Sequence, residues 1–538
     1  MADTTSTDAG PNRQGVQFVD QHKDKLIQRV KTPMPIADTL LTHGHIHQEC
    51  YSKISTPQMT SQDKMRMLYE GLEEGGAAVK AAFYECLLIN YPHLVKDLGS
   101  GSTLDNTRNQ PVEQETKSKI TYNPNEQLGT GAGGTIVYKG MFGNRPVAVK
   151  RIPVTFQKIA EKEVKRLLEV DYHINVVQYF WSEMDGEHQN IAIELCDKSL
   201  KEYVEKSSGA ERQSEQIIDL LKQTMEGLSH LHSHNIVHRD VKPANIMLSF
   251  PDVGGKVTVK ITDFGLAKKL CPESSSITSG FKGTVHWCAP ELLQGVSNDN
   301  LTSAVDIFSA GLVFYYVWTG EGKNVFTLIV DLAKGHCFEK LQANHDILIK
   351  DLIEQMLSLE PGKRPSADAV LKHPFFWRKD KQLKYFQDVS DRVVKKDQPD
   401  NKLDLASLIQ KLESDGEKVV KKNWMEHITE DLRKDLGTRL YKGKCVYDGR
   451  SVQDLLRAIR NKAHHYNESP KEVQESLGSL PDGFMQYFTS RFPLLLLHTY
   501  QVMSTCAEEN TFRDYYPKSK EVLMAEENCI PAQNQTAQ

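Results

Sequence analysis

The chain has 538 residues, more than one hydrophobic core supports, so we expect roughly three to four domains. Charged residues make up 25% and hydrophobic residues 39%, which excludes a wholly disordered, collagen-like or coiled-coil protein. The formal net charge of -5 excludes a positive field over the whole surface, so any RNA or membrane site must be local.

The sequence predicts a soluble, cytoplasmic protein. The N-terminal residues lack the basic and apolar regions of a secretory signal. The apolar run at residues 494–497 is too short to span a bilayer, so we expect no transmembrane segment. The nine cysteines lie singly, without a CxxC pair, which indicates reduced thiols rather than disulfides or a zinc site.

Apolar residues at helical spacing predict a small all-α bundle at residues 16–98. Its segments FVDQHKDKLIQRV, SQDKMRMLYEGL and YPHLVKDL resemble those of caspase recruitment domains, which are six-helix death folds. The resemblance implies like-with-like assembly and a CARD-containing protein partner. A helical bundle that serves only as a spacer is the alternative.

Polar stretches divide the remaining chain. Residues 99–119 have no periodicity and no aromatic side chain, which predicts a flexible linker. Residues 120–377 begin with β-rich sequence and continue as helices. Residues 380–503 form a second helical segment, and residues 504–538 are expected to be a C-terminal tail.

A glycine-rich loop precedes a strand that carries a lysine. Gly129, Gly131 and Gly134 form a GxGxxG pattern, which alone fits an ordinary turn or a dinucleotide fingerprint equally well. The following VAVK ends at Lys150 and places an ammonium group on a strand, within reach of phosphates under the loop. A dinucleotide site would instead need a helix that opens at the loop.

Three further motifs supply the parts of phosphoryl transfer: HRD at 238–240, DFG at 263–265 and APE at 289–291. Asp240 would orient a hydroxyl group and accept its proton, and Lys242 would neutralise phosphate charge. Asn245 and Asp263 would hold Mg2+. Residues 120–377 therefore resemble a eukaryotic serine/threonine protein kinase domain, an α+β bilobal fold.

The resemblance implies an ATP or ADP site and the residues that form it. Glu163, in preference to Glu161, is the helix partner of Lys150, while Asp306 and Arg364 are structural. The implied nucleotide-binding residues are Leu128, Gly129, Gly131, Gly134, Ile136, Ala148, Lys150, Glu163, Ile193, Glu194, Cys196, Asn245 and Asp263. Ile136 departs from the usual valine. A pseudokinase is disfavoured because the lysine and both motif aspartates are present.

The segment between DFG and APE contains a cluster of five hydroxyl side chains at residues 274–279. A phosphate there would pair with Arg239 and order the segment, although a serine-rich loop is also typical of a merely solvated surface. The candidate phosphorylation sites are Ser274, Ser275, Ser276, Thr278 and Ser279.

A helix after the kinase segment has one apolar and one polar face. Ser451 and Asp454 predict its start in the manner of a capping box. The apolar arc, expected in the core, comprises Val452, Leu455, Leu456, Ile459 and Ala463. The opposite arc comprises Arg457, Asn461, His464 and His465, with Arg460 at the border.

This polar face contains the residue types of metal-free RNA cleavage, which needs a base, an acid and donors to the phosphate. A solvated basic face is the alternative, whereas a zinc site lacks a suitably spaced third ligand. The segments NWMEHIT, YDGRSVQDLLRAIRNKAHHY and SLPDGFMQYFTSRFP resemble the kinase-extension nuclease (KEN) domain, an all-α ribonuclease domain. That domain occurs in the unfolded-protein-response sensor kinase/endoribonuclease and in ribonuclease L.

The resemblance implies that Tyr447 is the general base and His465 the general acid, with Arg460 and Asn461 at the phosphate. Helical geometry alone leaves His464 and His465 equivalent. A phenol has an ordinary pKa of about 10, so a tyrosine base needs a cationic neighbour. Either Arg450 or Arg460 is suited to that role.

The family resemblance also implies that nucleotide binding favours a homodimer, or a higher homo-oligomer, in which the paired nuclease domains cleave an RNA substrate. Assembly of residues 16–98 would be the trigger. A signalling scaffold with idle catalytic domains and a kinase with an inert extension are the two alternatives.

Overall fold

The computed structural model describes the following residues: 13–30, 33–42, 44–55, 59–91, 94–95, 98, 119–170, 172–207, 215–270, 284–293, 302–321, 330, 341, 346–394, 405–437, 440–441, 444–445 and 447–518. The chain divides into two compact units, Met1–Cys196 and Asp197–Gln538, each of which is described by itself. Within the described residues, no helix is both long and apolar enough to cross a bilayer.

The first unit opens with an all-α bundle, as the apolar spacing predicts. Thr60 caps the longest helix by accepting a hydrogen bond from the Asp63 amide, and Gly76 breaks that helix with φ 69°. Leu26, Leu68 and Phe83 lie fully buried in the core. The helices are α1 (Arg13–Gln21), α2 (Lys23–Arg29), α3 (Met34–Thr42), α4 (Gln48–Ile54) and α5 (Ser61–Asn90).

A five-stranded antiparallel sheet follows in the same unit, with strand order β1-β2-β3-β5-β4. Val147, Val149 and Ala192, on two neighbouring strands of this sheet, are fully buried in its hydrophobic cluster. The elements are β1 (Ile120–Thr130), β2 (Ile136–Phe142), β3 (Arg145–Pro153), α6 (Gln157–Glu169), β4 (Tyr179–Asp185) and β5 (His188–Glu194).

The second unit begins with helices that surround short strands. Its most buried helix, α10 (Ala304–Thr319), is apolar all round and carries Asp306 in its first turn. The other elements are β6 (Lys198–Ser199), α7 (Leu200–Lys206), α8 (Glu215–Ser233), β7 (Ile236–Val237), β8 (Ile246–Leu248), β9 (Val259–Ile261), β10 (Lys268–Lys269), α9 (Pro290–Leu293), α11 (Ile347–Met356) and α12 (Ala367–Lys372). The sheet in the first unit and these helices agree with the predicted bilobal kinase fold.

Helices dominate the C-terminal part of this unit, and the predicted all-α class is confirmed. Two two-residue strands, β11 (Leu440–Tyr441) and β12 (Lys444–Cys445), form its antiparallel pair. The helices are α13 (Lys379–Val394), α14 (Leu405–Ser414), α15 (Gly416–Val419), α16 (Glu430–Gly437), α17 (Val452–His464), α18 (Lys471–Leu477), α19 (Asp482–Arg491) and α20 (Leu495–Met503).

One hydrophobic core runs from the end of the kinase segment through these helices. The Trp377 ring meets Tyr385, Tyr500 and Tyr515 at centroid distances of 4.9, 5.5 and 5.2 Å. Tyr515 and Phe512 are buried in the same core, so its packing extends beyond the predicted boundary at residue 503. Residues 504–516 are therefore part of a packed structure rather than a tail.

Candidate kinase and ribonuclease sites

Lys150 and Glu163 form a closed ion pair in the first unit. Lys150 lies on β3, and its Nζ donates to both carboxylate oxygens of Glu163 on α6, at 2.7 and 2.8 Å. Glu163 is only 3% exposed, whereas Glu161 accepts from Gln157 on the outer surface of the helix. The structure thus brings Lys150 to Glu163, which is the pairing that a kinase needs to position phosphates.

The glycine-rich loop joins β1 to β2. Gly133 and Gly134 have φ of 65° and 75°, a left-handed backbone that favours glycine. The Gly131 amide donates to the Thr135 carbonyl at 2.8 Å and closes the turn. The predicted contacts Leu128 and Ile136 flank this turn on the two strands, and a loop without bulky side chains lets backbone amides approach phosphate groups.

The predicted adenine-binding segment lies at the end of β5. Ile193 pairs with Ala148 of β3, and the Glu194 amide donates to the Gln178 carbonyl at 2.9 Å. The Cys196 thiol lies 3.9 Å from the Glu194 carbonyl. These contacts fix the segment, and the roles of its residues in nucleotide binding stay predictions.

Asp240 is the centre of a hydrogen-bond network in the second unit. Its Oδ2 accepts from Lys242 Nζ at 2.6 Å and from Asn245 Nδ2 at 2.9 Å. Its Oδ1 accepts from the Thr284 hydroxyl at 3.0 Å, and that hydroxyl also accepts from Lys242 at 2.8 Å. Asp240 is therefore held as an acceptor, the state that suits a group orienting a hydroxyl.

Asn245 and Asp263 fit a magnesium ion by their donor chemistry. The Asn245 amide nitrogen donates to both the carbonyl and the carboxylate of Asp240, which leaves its Oδ1 as the group for a cation. Asp263 adds a carboxylate from a left-handed backbone position with φ 66°. Mg2+ prefers such oxygen ligands, one or two from the protein and the rest from phosphates and water.

Asp306 and Arg364 hold the surrounding backbone. The Asp306 carboxylate accepts from the His238 and Arg239 amides at 2.8 Å each and pairs with His232. Burial acts to raise the pKa of Asp306, but the His232 and His238 interactions outweigh it and lower the pKa below its ordinary value. Arg364 donates to Glu291 of the APE motif through both terminal nitrogens.

Of the residues predicted to act in the activation segment, the structure describes only the phosphate partner, Arg239. The candidate phosphorylation sites Ser274, Ser275, Ser276, Thr278 and Ser279 lie outside the described residues. Arg239, the predicted phosphate partner, has φ 66° and donates through Nε to the Leu266 carbonyl. That pairing stays a prediction.

Helix α17 has the two faces that its sequence predicts. The five residues of the apolar arc are buried or packed against the core, whereas His464 and His465 are exposed. Ser451 caps the helix by accepting from the Asp454 amide at 3.1 Å. The reciprocal bond expected of a capping box is not the one formed, because the Asp454 carboxylate accepts from the Asp448 amide instead.

Glu413 of α14 completes the N-terminus of α17. Its carboxylate accepts from the Ser451 hydroxyl and from the Val452 and Gln453 amides at 2.8 to 2.9 Å. A negative charge there satisfies open amides and complements the helix dipole. Burial raises the pKa of the neighbouring Asp454.

Tyr447, Asn461 and Arg460 form a connected group. Asn461 Nδ2 donates to the Tyr447 hydroxyl at 3.0 Å, and Arg460 Nη1 donates to Asn461 Oδ1 at 3.0 Å. Three of the four predicted ribonuclease residues are therefore in direct contact. The fourth, His465, lies one helical turn from Asn461, about 6 Å along the axis.

The cation nearest the Tyr447 ring is a residue that the sequence prediction did not select. The Arg457 guanidinium lies 4.8 Å from the centroid of the ring. Arg450 contacts Asp448, and Arg460 is linked to the tyrosine hydroxyl through Asn461. The sequence prediction of Arg450 or Arg460 as the cationic neighbour therefore missed Arg457, which contacts the ring.

Trp424 fixes the loop that carries Tyr447. Its backbone amide donates to the Gly449 carbonyl at 2.8 Å, and its indole Nε1 donates to the Asp448 carbonyl at 3.1 Å. The indole is fully buried, and its ring meets the Tyr447 ring edge to face at 6.1 Å. Tyr447 is itself only 5% exposed, so its position is set by packing on both sides.

His465 is oriented by a carboxylate. Its Nδ1 lies 2.9 Å from Glu468 Oε2, across a short 3₁₀ turn. A carboxylate at Nδ1 favours a proton on that nitrogen and leaves Nε2 as the ring nitrogen for a substrate. His464 is likewise exposed, and the assignment of the acid to His465 stays a prediction.

Three family models match successive parts of the chain. The caspase recruitment domain matches residues 16–101, the protein kinase domain residues 122–376, and the ribonuclease 2-5A domain residues 382–516. The chain therefore contains the three kinds of domain predicted from its motifs.

Several known proteins are similar to this chain over about three quarters of its length. Human serine/threonine-protein kinase/endoribonuclease IRE2 is 48% identical over 75% of this chain and 43% of its own length. Caenorhabditis elegans serine/threonine-protein kinase/endoribonuclease ire-1 is 43% identical over 74% of this chain and 41% of its own length. The Schizosaccharomyces pombe sensor for unfolded proteins in the ER, ire1, is 38% identical over 75% of this chain and 40% of its own length. The chain spans less than half the length of these relatives.

Proposed function

We propose that this chain is a member of the serine/threonine-protein kinase/endoribonuclease family, on the strength of its kinase and ribonuclease domain matches and its similarity to proteins named for both activities. It acts as a serine/threonine protein kinase that uses ATP with Mg2+, and as an endoribonuclease. The observation that carries the second activity is the contact of Tyr447, Asn461 and Arg460 beside His465. Relatives named for both activities support the assignment.

RNA cleavage proceeds by attack of a ribose 2′-oxygen on the neighbouring phosphorus. Tyr447 takes the proton from the 2′-hydroxyl, and the bond from phosphorus to the 5′-oxygen breaks. His465 gives a proton to the departing 5′-oxygen, which leaves a cyclic 2′,3′-phosphate and a 5′-hydroxyl. Arg460 and Asn461 stabilise the negative charge that develops on the phosphate oxygens.

The proposed phosphoryl transfer assigns a role to each motif residue of the kinase domain. Asp240 orients the substrate hydroxyl and receives its proton, while Lys242 and Lys150 bind phosphate oxygens. Asn245 and Asp263 would hold Mg2+, which would supply neutralisation of the phosphate charge. The pairing of Lys150 with Glu163 and the network at Asp240 support a competent kinase rather than a pseudokinase.

Assembly joins the two activities. The caspase recruitment domain gathers copies of the chain, nucleotide binding favours a homodimer, and the paired ribonuclease domains then cleave RNA. A second CARD-containing protein is the partner expected to start the assembly, and the match at residues 16–101 supports this.

The test is cleavage of a structured RNA by the full chain, with and without nucleotide, with analysis of the product ends. His465→Ala should lower the rate of cleavage by about 10²- to 10⁴-fold, the usual contribution of a general acid. Phosphorylation activity should persist in this variant, and His464→Ala is the matched control. Cleavage that survives His465→Ala would refute the role of His465 as the general acid. If the unaltered chain cuts no RNA even when it is artificially dimerised, the alternative of a signalling scaffold with idle catalytic domains would be favoured.

A further inference from the structure

Helix α13 contributes a carboxylate to the group around Tyr447. Asp391 Oδ1 lies 2.9 Å from Arg460 Nη2. Arg460 then donates to Asn461, and Asn461 donates to Tyr447, at 3.0 Å in each case. The four side chains form one continuous series of polar contacts from α13 to the tyrosine hydroxyl, an ion pair followed by two hydrogen bonds.

We propose that Asp391 is a positioning residue for RNA cleavage, which fixes the orientation of Arg460 and thereby of Asn461. This inference rests on the proposed ribonuclease function. Asp391 itself does not touch the substrate. It acts because a planar guanidinium whose one edge is held by a carboxylate can present its other donors in only one direction.

The orientation of the Asn461 amide depends on the same contact. With its oxygen accepting from Arg460, the amide must direct its nitrogen toward Tyr447. Without Asp391, Arg460 gains rotational freedom, and the amide loses the neighbour that distinguishes its two ends. A hydrogen bond on the amide oxygen also polarises the group and strengthens the bond that its nitrogen donates.

The helix that carries Asp391 is a fixed base for this chain. Tyr385 and Val389 on α13 are fully buried. Arg392, the residue after Asp391, donates to both carboxylate oxygens of Glu509 at 2.8 and 3.0 Å. Gln453 at the start of α17 donates to the Val393 carbonyl at 3.1 Å, which ties the two helices together.

Because the Asp391–Arg460 ion pair is partly exposed, its effect on catalysis can be measured separately from its effect on stability. Asp391 and Arg460 are 36% and 35% exposed, so water partly screens the ion pair and its contribution to folding is small. A purely electrostatic role would have the opposite effect on activity, because a carboxylate near a phosphate site repels RNA. The two roles predict changes of opposite sign when the charge is removed.

The experiment compares Asp391→Asn and Asp391→Ala in the full chain, with kcat and KM measured on one stem-loop RNA. We expect Asp391→Ala to lower kcat by about 10-fold or more while KM changes little, since misplaced catalytic groups cost that much. Asp391→Asn keeps an acceptor oxygen and should fall between Asp391→Ala and the unaltered chain. Phosphorylation activity and thermal stability should not change.

Glu509→Gln is the matched control, because it weakens a different ion pair of α13, the one between Arg392 and Glu509. It should lower thermal stability while kcat is retained. An unchanged or increased kcat in Asp391→Ala, or an equal loss of kcat in Glu509→Gln, would overturn the positioning role. Failure of the proposed ribonuclease function is distinguishable, since the unaltered chain would then release no cyclic phosphate ends.

Discussion

Loss of the buried ion pair between Lys462 and Asp435 should strongly destabilise the ribonuclease domain. The Lys462 side chain is 3% exposed and Asp435 19%, and Lys462 Nζ also donates to the Ser469 hydroxyl at 3.2 Å. Lys462→Met removes the ammonium but keeps most of the packing volume, so the Asp435 carboxylate is left without its main counter-charge. Breaking such a pair costs about 3–5 kcal/mol of unfolding free energy.

The double variant Lys462→Met/Asp435→Leu separates charge from packing. It removes both ions, and apolar replacement of a buried pair is often close to neutral. We therefore expect it to be more stable than Lys462→Met alone.

Hydrogen exchange of the buried amides of α17, followed by mass spectrometry, reports the local unfolding free energy within this multidomain chain. Lys434→Met, which breaks the exposed pair with Glu430, is the control and should leave exchange unchanged. If Lys462→Met lowers the unfolding free energy by less than about 1 kcal/mol, well under the cost expected for breaking a buried pair, the reasoning is refuted. The reasoning would also be refuted if the loss of unfolding free energy in the double variant equalled the sum of the losses in Lys462→Met and Asp435→Leu.

Three further variants test other contacts. Asp240→Asn should abolish phosphorylation, measured with radiolabelled ATP, while RNA cleavage by artificially dimerised chains persists. Because the pKa of Asp306 is lowered by folding, its stabilising contribution is complete above its ordinary pKa and is lost as pH falls through the lower folded value. Asp306→Asn should therefore flatten the acid dependence of unfolding followed by circular dichroism. Trp424→Phe leaves the Asp448 carbonyl without its indole donor, so we expect a loss of about 1–3 kcal/mol in exchange measurements and slower RNA cleavage.

Local patterns in the sequence were sufficient to predict much of the architecture. The apolar spacing of α17 predicts its buried face because a helix repeats every 3.6 residues. Motif order likewise predicted the kinase residues, and the structure brings Lys150 to Glu163. The roles of the predicted site residues are matters for the experiments above.

Residues that act across long sequence separations were not predictable in the same way. Asp391 and Glu413 approach α17 from other helices, and no periodicity links them to it. Thr284 was missed although it lies shortly before the APE motif, where a hydroxyl group would have been a usable signal. Glu468 stands three residues after His465, a spacing that places two side chains on one face of a helical turn.

The aromatic cluster of Trp377, Tyr385, Tyr500 and Tyr515 has a consequence for protein engineering. If the chain were divided near residue 378, each fragment would lose aromatic side chains that cover its core. The apolar surface exposed on each fragment would promote aggregation. Chimeras should therefore transplant the large kinase lobe and the ribonuclease domain as a single cassette, with residues up to Tyr516 included.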